Sequence, residues 1–297
     1  LGCYEWYDTL IGHWKLDEIT YSSAADSSGN GNHGSLQGGM DQTSDSTAGA
    51  VGTAYAFDGV DDYIDISAAI GANTYTDFTI SAWYKSSQLT PTDDQYIFSF
   101  GDPDSADDHF LFAVTDDAGV VGYLRGVVRA NSIATGVINS TSSVMDQVWH
   151  HVVFKREGNN FEFFIDGSSA GTYVDDSIGN NAIDPSNDNH VFIGDDPGNT
   201  EQVNGALDDI RFYDRALSAA EVAKLYAMGA PVGSSTALPQ GCPNIGDGCD
   251  DGSIYAGLAP DDGTTPYYAA ASDAPTTLPW NDGNSSNQTL TNVDDND

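Results

Sequence analysis

The sequence predicts an all-β fold of the sandwich or barrel type. Short runs of alternating or continuous apolar residues recur between residues 13 and 194, and clusters of Gly, Asp, Asn and Ser separate them. Regularly spaced short strands with turn residues between them are typical of sandwiches and barrels. Because 39% of its residues are hydrophobic, the chain can fill a core of this kind.

The clearest predicted strand is FTISAWYK at residues 78–85. Successive side chains of a strand point to opposite faces, so Phe78 and Ile80 share one face while Thr79 and Ser81 share the other, and we expect a half-buried strand. Further strands are predicted at residues 54–59, 63–66, 96–101, 110–114, 149–156, 161–167 and 190–195. The turn EGNN at residues 157–160 joins two of them into a hairpin.

One helix is predicted near the end of the main domain, in ALSAAEVAKLYAMG at residues 216–229. Ser218 is suited to cap its N-terminus, and Glu221 follows three residues later as the partner in a capping box. The apolar stripe of this helix consists of Val222, Leu225 and Tyr226. We expect the helix to close the domain.

The chain divides into four predicted segments: an N-terminal lead (residues 1–10), a main domain (11–230), a linker rich in Pro, Gly and Ser (231–241), and a small Cys-containing segment (242–297) that reads as incomplete. The lead begins with Leu1, so we expect it to follow a removed signal or anchor. Cys242 and Cys249 bracket the short loop CPNIGDGC and are candidates for a local disulfide. Cys3 is left over, as a free, lipidated or externally paired thiol.

The charge of the chain excludes two classes of partner. Nine Lys and Arg residues stand against 45 Asp and Glu residues, a formal net charge of −36. A surface of this sign repels nucleic acid phosphates and anionic membrane faces, and the visible sequence predicts no direct membrane insertion. Calcium binding, a saline medium or plain solubility would each explain the abundance of Asp.

The stretch DSSGNGNHG at residues 26–34 is a candidate calcium loop. Calcium prefers carboxylate, amide and carbonyl oxygens, which Asp26, Asn30 and the carbonyl of His33 can offer. A further carboxylate is expected from LDDIRFYD, where adjacent aspartates point to opposite faces and we favour Asp208. The alternative is a polar loop in which Asp26 forms an Asx turn. The aspartates of FDGVDDYIDI and those crowding residues 93–108 read as turn and surface groups, with further ion sites as the alternative.

Seven blocks occur in a fixed order: IGHWKLDE, DSSGNGNHG, AYAFDGVDDYIDI, DFTISAWYK, WHHVVFKREGNNFEFFIDG, HVFIGD and GALDDIRFYDRALSAAEVAKLY. Together they resemble the bacterial LamG-like (laminin G, concanavalin A-like) jelly-roll module over residues 11–230. The resemblance implies a two-sheet antiparallel jelly-roll sandwich, an extracellular or cell-surface location, frequent calcium binding at the residue 26–34 loop, and adhesion or glycan recognition without catalysis. The C-terminal segment resembles a small repeat that accompanies such modules in bacterial surface proteins.

Catalytic patterns are missing from the sequence. Glycoside hydrolases need two suitably spaced carboxylates, whereas Glu157 and Glu162 flank a hairpin turn. His150 and His151 are adjacent in a strand and therefore point to opposite faces, so they cannot bind one metal ion together. We therefore expect no enzyme, and keep a glycoside hydrolase as the least favoured reading.

The first functional hypothesis is an extracellular adhesion or glycan-recognition module, stabilised by calcium, whose partner is a glycan or a surface protein. The alternative is a structural subunit of a pilus or other surface filament, assembled from copies of the chain and carrying the LamG-like domain as a decoration. Trp14, Trp83 and Trp149 are expected in the core, and Tyr123 or Tyr173 are better candidates for stacking against a sugar.

Overall fold

The structure, a computed structural model, describes residues 9–18, 23–70, 74–101, 108–184, 190–196 and 201–229, and four short strands beyond residue 252. The chain forms two compact units, Tyr7–Ala230 and a second unit of Leu1–Trp6 with Pro231–Asp297. Cys3, Cys242, Cys249 and the linker at 231–241 lie outside the described residues. The disulfide therefore stays a prediction.

The first unit consists almost entirely of short strands. In chain order they are β1 (Leu10–Trp14), β2 (Ser23–Ala24), β3 (Gly34–Gln37), β4 (Ser46–Ala48), β5 (Thr53–Asp58), β6 (Tyr63–Asp65), β7 (Phe78–Ser86), β8 (Gln95–Phe100), β9 (His109–Val114), β10 (Tyr123–Ala130), β11 (Ile133–Ala134), β12 (Ile138–Ser143), β13 (His150–Glu157), β14 (Asn160–Ile165), β15 (Ser168–Val174), β16 (Val191–Ile193) and β17 (Asn204–Tyr213). Two helices accompany them, the single turn α1 (Ser67–Ile70) and α2 (Ala219–Gly229).

Within the described residues these strands form two antiparallel sheets. Sheet A has eight strands in the order β15-β14-β13-β7-β17-β5-β4, and β1 also pairs with β17. Sheet B has nine strands in the order β11-β10-β9-β8-β16-β6-β3-β2, and β12 also pairs with β10. Strands that are distant in sequence are neighbours in both sheets. The all-β jelly-roll sandwich expected from the sequence is confirmed.

The core between the two sheets is rich in aromatic side chains. Phe154 of sheet A lies at its centre, with ring centroids 5.1 Å from Phe163, 5.9 Å from Phe112 and 6.0 Å from Phe78. Phe98 and Phe110 of sheet B stack with their centroids 5.7 Å apart. Aromatic rings bury a large apolar area each, so this cluster holds the two sheets together.

Strand β7 is buried on both faces, so the prediction that it is half buried is wrong. Trp83, on the side away from the core, is only 1% exposed, because the ring of Tyr226 in α2 stacks on it at 5.7 Å. On the same side, the Thr79 hydroxyl donates to the carbonyl of Arg215 at 2.8 Å and accepts the N–H of Leu217 at 2.9 Å. Helix α2 and the segment before it therefore form a cover over sheet A.

Helix α2 begins as predicted. The backbone N–H of Glu221 donates to the Ser218 hydroxyl at 3.3 Å, and the backbone N–H of Ser218 donates to the Glu221 carboxylate at 2.7 Å, which is a complete capping box. Arg215 adds an ion pair to Glu221 at 2.7 Å. Val222 and Leu225 are buried, so the predicted apolar stripe anchors the helix.

The second unit is described only as two short strand pairs. Strand β18 (Ser253–Leu258) pairs with β19 (Pro266–Ala270), and β20 (Pro279–Trp280) pairs with β21 (Gln288–Thr289). No helix in the described part of the chain combines the length and apolar character needed to cross a membrane.

Candidate functional site

The loop of residues 26–34 lies between β2 and β3 and folds around the carboxylate of Asp26. Its Oδ1 accepts the backbone N–H groups of His13 at 2.9 Å and Ser28 at 2.8 Å. Its Oδ2 accepts the Ser28 hydroxyl at 2.8 Å and the backbone N–H of Asn32 at 2.9 Å. Burial by itself would raise the pKa of Asp26, but these hydrogen bonds outweigh it and lower the pKa.

Asn30 and His33 attach the same loop to the backbone. The side-chain amide of Asn30 donates to the carbonyls of Leu10 at 2.7 Å and Ile11 at 3.1 Å. The ring Nδ1 of His33 accepts the backbone N–H of Asp26 at 3.0 Å. The imidazole thus forms a hydrogen bond within the loop, whereas the sequence predicted a role for the His33 carbonyl as an ion ligand. The structure therefore brings Asp26, Asn30 and His33 together and uses them to tie the loop to itself and to β1.

Asp208 and Asp209 of β17 contact different parts of the protein. The register of β17 against β7 shifts between Asp208 and Arg211, and Asp209 has φ 50°, so regular alternation fails here. Asp209 contacts His13 Nε2 at 2.5 Å and Arg211 at 2.7 Å. Asp208 accepts the backbone N–H of Val51 at 2.8 Å instead. The aspartate that bonds to β1, beside the first loop, is therefore Asp209, although the sequence favoured Asp208.

The residue 26–34 loop does not fit the calcium ion that the resemblance implies. A carboxylate has about four lone-pair positions, and those of Asp26 receive four hydrogen bonds from N–H and O–H donors. Calcium takes roughly six to eight oxygen ligands, so an ion at this position would have to displace those donors. We conclude that Asp26 organises the loop as a hydrogen-bond acceptor.

The turn at residues 58–62 brings three carboxylates together. Oxygens of Asp58, Asp61 and Asp62 lie within 4.8 Å of one another. Asp58 accepts the backbone N–H of Val60 at 2.8 Å, and Asp62 accepts that of Asp58 at 2.9 Å. Burial and the charges of the neighbouring aspartates raise the pKa of Asp62 to about 6. These hydrogen bonds to backbone N–H groups explain the conformation of the turn, so its carboxylates need no metal ion to hold it.

The side of sheet B that faces away from the core, here called the outer face of sheet B, carries a row of large side chains on β10. The residues of β10 that enter the core are Leu124, Val128 and Ala130. The alternate residues are half-buried on the outer face: Tyr123, Arg125, Val127 and Arg129. Val127 packs there against a small apolar cluster, separate from the core, formed by Tyr96, Leu111 and Ala113.

Arg125 lies within this row and is held by two carboxylates. Its guanidinium forms ion pairs with Asp94 and with Asp117. The Asp94 side chain is 7% exposed, whereas that of Asp117 is 55% exposed. The two pairs hold the guanidinium donors of Arg125 next to carboxylate acceptors. Asp94 forms the buried end of this group and Asp117 the accessible end.

Further carboxyl groups follow β16 beside the outer face of sheet B. Asp195 is fully buried, and its backbone carbonyl accepts the Ser99 hydroxyl at 2.8 Å. Burial and the charge of Asp196 raise the pKa of Asp195 to about 7. Burial and the charges of Asp196 and Asp94 likewise raise the pKa of Glu201. The surroundings of Arg125 are therefore strongly acidic.

Replacing Asp195 with asparagine is expected to flatten the pH dependence of stability. In the folded protein the pKa of Asp195 is about 7, whereas in an unfolded chain the pKa of an aspartate is about 3.9. Between these values the folded state binds more protons, so the free energy of unfolding falls as pH rises. Urea unfolding between pH 4 and pH 8 should show a shallower decline for Asp195→Asn.

The exposed Asp93→Asn variant is the control for this prediction and should keep the decline of the unmodified chain. An equally steep decline in Asp195→Asn would contradict the claim that the raised pKa of Asp195 causes this pH dependence.

The aromatic residues singled out in the sequence lie in different surroundings. Trp14 and Trp83 are 0% and 1% exposed, and Trp149 is half-buried. Tyr123 lies on the outer face of sheet B in the same row as Arg125, and Tyr173, which is 40% exposed, lies on β15 of sheet A. Tyr123 is therefore the stacking candidate that has charged hydrogen-bonding groups beside it.

The role of Arg125 was not found from the sequence. Its partner Asp94 is 31 residues away in the chain, so no local motif links them. The available signal was the alternation in YLRGVVRA, where two of only nine basic residues fall on the polar face of one strand.

The described residues of the first unit also line an open groove of about 470 Å³. Its lining consists of Ile11, Thr74, Tyr75, Thr76, Asp77 and Asp214. Tyr75 is only 4% exposed, and Asp77 already accepts the backbone N–H of Gly158 at 2.7 Å. The groove therefore lacks an accessible ring and suits a sugar less well than the outer face of sheet B.

A laminin G-type family model, described as the concanavalin A-like lectin/glucanases superfamily, matches residues 58–223. The match covers more than half of the chain. The chain belongs to this superfamily. The LamG-like resemblance of the main domain is thereby confirmed, whereas the match ends before the C-terminal segment.

Solved structures share the fold at low sequence identity. Domain 4 of AbnA, an extracellular GH43 arabinanase from Geobacillus stearothermophilus solved with arabinotriose, aligns with a TM-score of 0.54 and 18% identity, over 73% of this chain and 98% of that domain. The ligand binding domain of botulinum neurotoxin serotype D, solved with N-acetylneuraminic acid, aligns with a TM-score of 0.53 and 12% identity, over 75% of this chain and 51% of that one.

Sequence comparison adds a relative from an animal. Adhesion G-protein coupled receptor V1 of Danio rerio is 25% identical over 150 residues. The match spans 50% of this chain and 2% of the receptor. The module is thus of the lectin and glucanase type, and domains solved with bound sugars are among its structural neighbours.

Proposed function

We propose that the first unit is a non-catalytic, extracellular glycan-binding module, and that the outer face of sheet B is its binding surface. The observation that carries this proposal is the row formed by Tyr123, Arg125, Val127 and Arg129, half-buried and therefore partly accessible on one face of one strand. The superfamily membership and the sugar-bound structural neighbours support it.

The row combines the two kinds of contact that a sugar requires. The ring of Tyr123 provides an apolar surface with a polar tip, against which the C–H face of a sugar can stack. Arg125 offers guanidinium N–H donors, and Asp117 offers carboxylate acceptors. Sugar hydroxyls both donate and accept, so they complement a site in which both groups are held in place.

The acidic surroundings favour a neutral glycan. Arg125 is compensated by Asp94 and Asp117, and the chain as a whole carries a formal net charge of −36. A field of this sign repels sugars that bear carboxylate or sulfate groups. A neutral oligosaccharide loses nothing to this repulsion and can still form hydrogen bonds with the paired charges.

The module is proposed to bind without hydrolysing. Hydrolysis needs two carboxyl groups on either side of a glycosidic bond. Of the glutamates flanking the β13–β14 turn, Glu162 is bound to Lys155 at 2.8 Å and to the Ser169 hydroxyl at 2.7 Å, so it is engaged in structural contacts. The filament alternative depended on Cys3 and the C-terminal segment, which lie largely outside the described residues, and it stays a prediction.

An array of neutral and sialylated oligosaccharides tests the proposal. We expect dose-dependent binding to members of the neutral class. Tyr123→Ala should weaken the best interaction at least tenfold, about 1.4 kcal/mol, because the stacking surface is removed. Tyr173→Ala is the matched control, since it removes an exposed tyrosine from the other sheet, and should bind like the unmodified chain. Binding only to sialylated glycans, or equal affinities for the two variants, would contradict the proposal.

A further inference from the structure

The face of sheet A beneath helix α2 holds a histidine that the proposed glycan site does not use. His151 of β13 lies opposite Trp83 of β7, and both residues are at most 1% exposed. Between ring centroids, His151 lies 5.4 Å from Trp83 and 6.1 Å from Tyr226 of α2. The imidazole is therefore enclosed between the sheet and the helix.

The polar atoms around His151 lack hydrogen-bond partners. Among the described residues, neither ring nitrogen of His151 has a partner, and the same holds for the indole nitrogen of Trp83 and the hydroxyl of Ser81 on the same face. A buried polar group without a partner costs free energy, and a buried unpaired charge costs far more. This position thus accommodates a neutral imidazole, whereas an imidazolium would need acceptors for two N–H groups.

The charges around His151 do not favour its protonated form. Burial, followed by the positive charge of Arg211, lowers the pKa of His151 to about 4. The carboxylates of Asp209 and Asp166 act in the opposite direction without reversing the shift. Both are already engaged, because Asp209 is bound to Arg211 at 2.7 Å and Asp166 to His150 at 2.8 Å.

Two carboxyl groups near α2 cannot cause its release in mildly acidic solution. Asp208 accepts a backbone N–H from the loop of residues 49–53, and burial raises its pKa to about 7, so it loses its charge as the pH falls. The hydrogen bond with Arg215 lowers the pKa of Glu221 to about 2, so its stabilising effect is lost mainly below its ordinary value of 4.5. The remaining charged groups beside this face are bound to a carboxylate or at least partly exposed: His13, Lys85, Lys155 and Lys224.

Helix α2 packs closely on this face of the sheet. A Cβ atom at Gly229 would lie 2.4 Å from the indole nitrogen of Trp83, and one at Gly167 would lie 3.1 Å from the Cβ of Tyr226. On the opposite face of sheet A, the rings around Phe154 are phenylalanines and carry no ionisable group. A charge that appears beneath α2 therefore acts on the contact with the helix rather than on the aromatic core.

We propose that α2 is an acid-sensitive latch, in which protonation of His151 releases the helix from sheet A while the two-sheet core stays folded. The imidazolium gains water only when the helix moves away, so the released state binds one more proton than the docked state. The predicted linker of residues 231–241 begins two positions after α2. Release would add residues 216–229 to this linker and so increase its reach.

Hydrogen exchange of the full chain, followed by mass spectrometry, tests the latch. After correction for intrinsic exchange rates, the protection factors of α2 amides should fall about a hundredfold between pH 6 and pH 4, about tenfold per pH unit for one proton taken up. At pH 4 the amides of β9 should stay at least about tenfold better protected than those of α2. Equal protection of the two elements would show that acid unfolds the whole domain, and would overturn the proposal.

Two histidine variants separate His151 from the other acid-sensitive groups. His151→Gln keeps a neutral polar side chain that acid does not protonate, so the fall in α2 protection should shrink to less than about fivefold, the part due to Glu221. His190→Gln is the matched control, since it removes an exposed histidine beside sheet B, and should show the full fall. A full fall in both variants would overturn the proposal.

A measurement on the unmodified chain keeps the test independent of how well His151→Gln folds. The ring resonances of His151, followed by ¹H–¹³C NMR, should titrate with a midpoint below about pH 5.5, whereas an unperturbed histidine titrates near about 6.5. A midpoint at or above about 5.5 would mean that the enclosed position does not oppose the charge, and would overturn the proposal.

Discussion

Replacing Phe154 with alanine is expected to lower the free energy of unfolding by about 3–5 kcal/mol. Phe154 is 0% exposed and contacts aromatic rings of both sheets, among them Phe78, Phe112 and Phe163. Removing its ring leaves a cavity between two rigid sheets that cannot close over it. Urea unfolding followed by tryptophan fluorescence measures the loss.

Leu89→Ala is the control for the Phe154 prediction. Leu89 is also a large apolar residue but is 65% exposed, so its truncation should change stability by less than about 0.5 kcal/mol. A loss below about 1 kcal/mol for Phe154→Ala would mean that the aromatic cluster does not form the core described above.

The Asp209→Ala variant should be destabilised by about 3–5 kcal/mol, because it leaves buried charge without a partner. Asp209 contacts both Arg211 and His13, and all three side chains are at most 12% exposed. In the fold, burial keeps the pKa of His13 low even though Asp209 bonds to its ring. Thermal unfolding at neutral pH measures the effect.

Asp146→Ala is the matched control for Asp209→Ala. Asp146 also pairs with a histidine, His150, at 3.1 Å, but its side chain is 57% exposed, and exposed pairs contribute less than about 1 kcal/mol. Equal losses of stability in the two variants would show that burial of the Asp209 ion pairs does not determine how much they stabilise the fold.

The strand pattern and the capped helix could be predicted because residues close together in the sequence determine both. Alternating side chains and a Ser218–Glu221 capping box need only a few neighbouring residues to be recognised. Trp83 was expected in the core, but its actual position under α2 could not be predicted in the same way, because α2 packs onto β7 from a distant part of the chain. An outward-facing position in a strand says nothing about what will later cover it.

The particular contacts of Asp208 and Asp209 could not be predicted from strand alternation, and the choice of Asp208 as an ion ligand stays a prediction. A shift in register between Asp208 and Arg211, with Asp209 at φ 50°, breaks the alternation from which their directions were inferred. A bulge changes the faces of the residues that follow it. Bulges are set by pairing with other strands and leave only a weak mark in the sequence.

The candidate site was predictable only in part. Tyr123 stood out as a tyrosine in a glycine-rich stretch, and the acidic residues around Asp94 were noticed, but their meeting at Arg125 depends on strand order in sheet B. Conversely, the polar composition of residues 26–34 pointed to an ion, whereas the hydrogen bonds to Asp26 came from His13 as well as from the loop itself. Composition identifies groups that can bind a cation, and folding decides what they contact.

The most direct test of the central claim, that a neutral glycan binds the outer face of sheet B, is a titration of the isotopically labelled chain followed by ¹H–¹⁵N correlation NMR. The ligand is the neutral oligosaccharide that gives the strongest array signal. We predict that the largest shift changes occur at residues 123–129 of β10 and around Asp94 and Asp117. Shift changes confined to β15 and α2, or to the groove around Thr74 and Asp214, would contradict the claim.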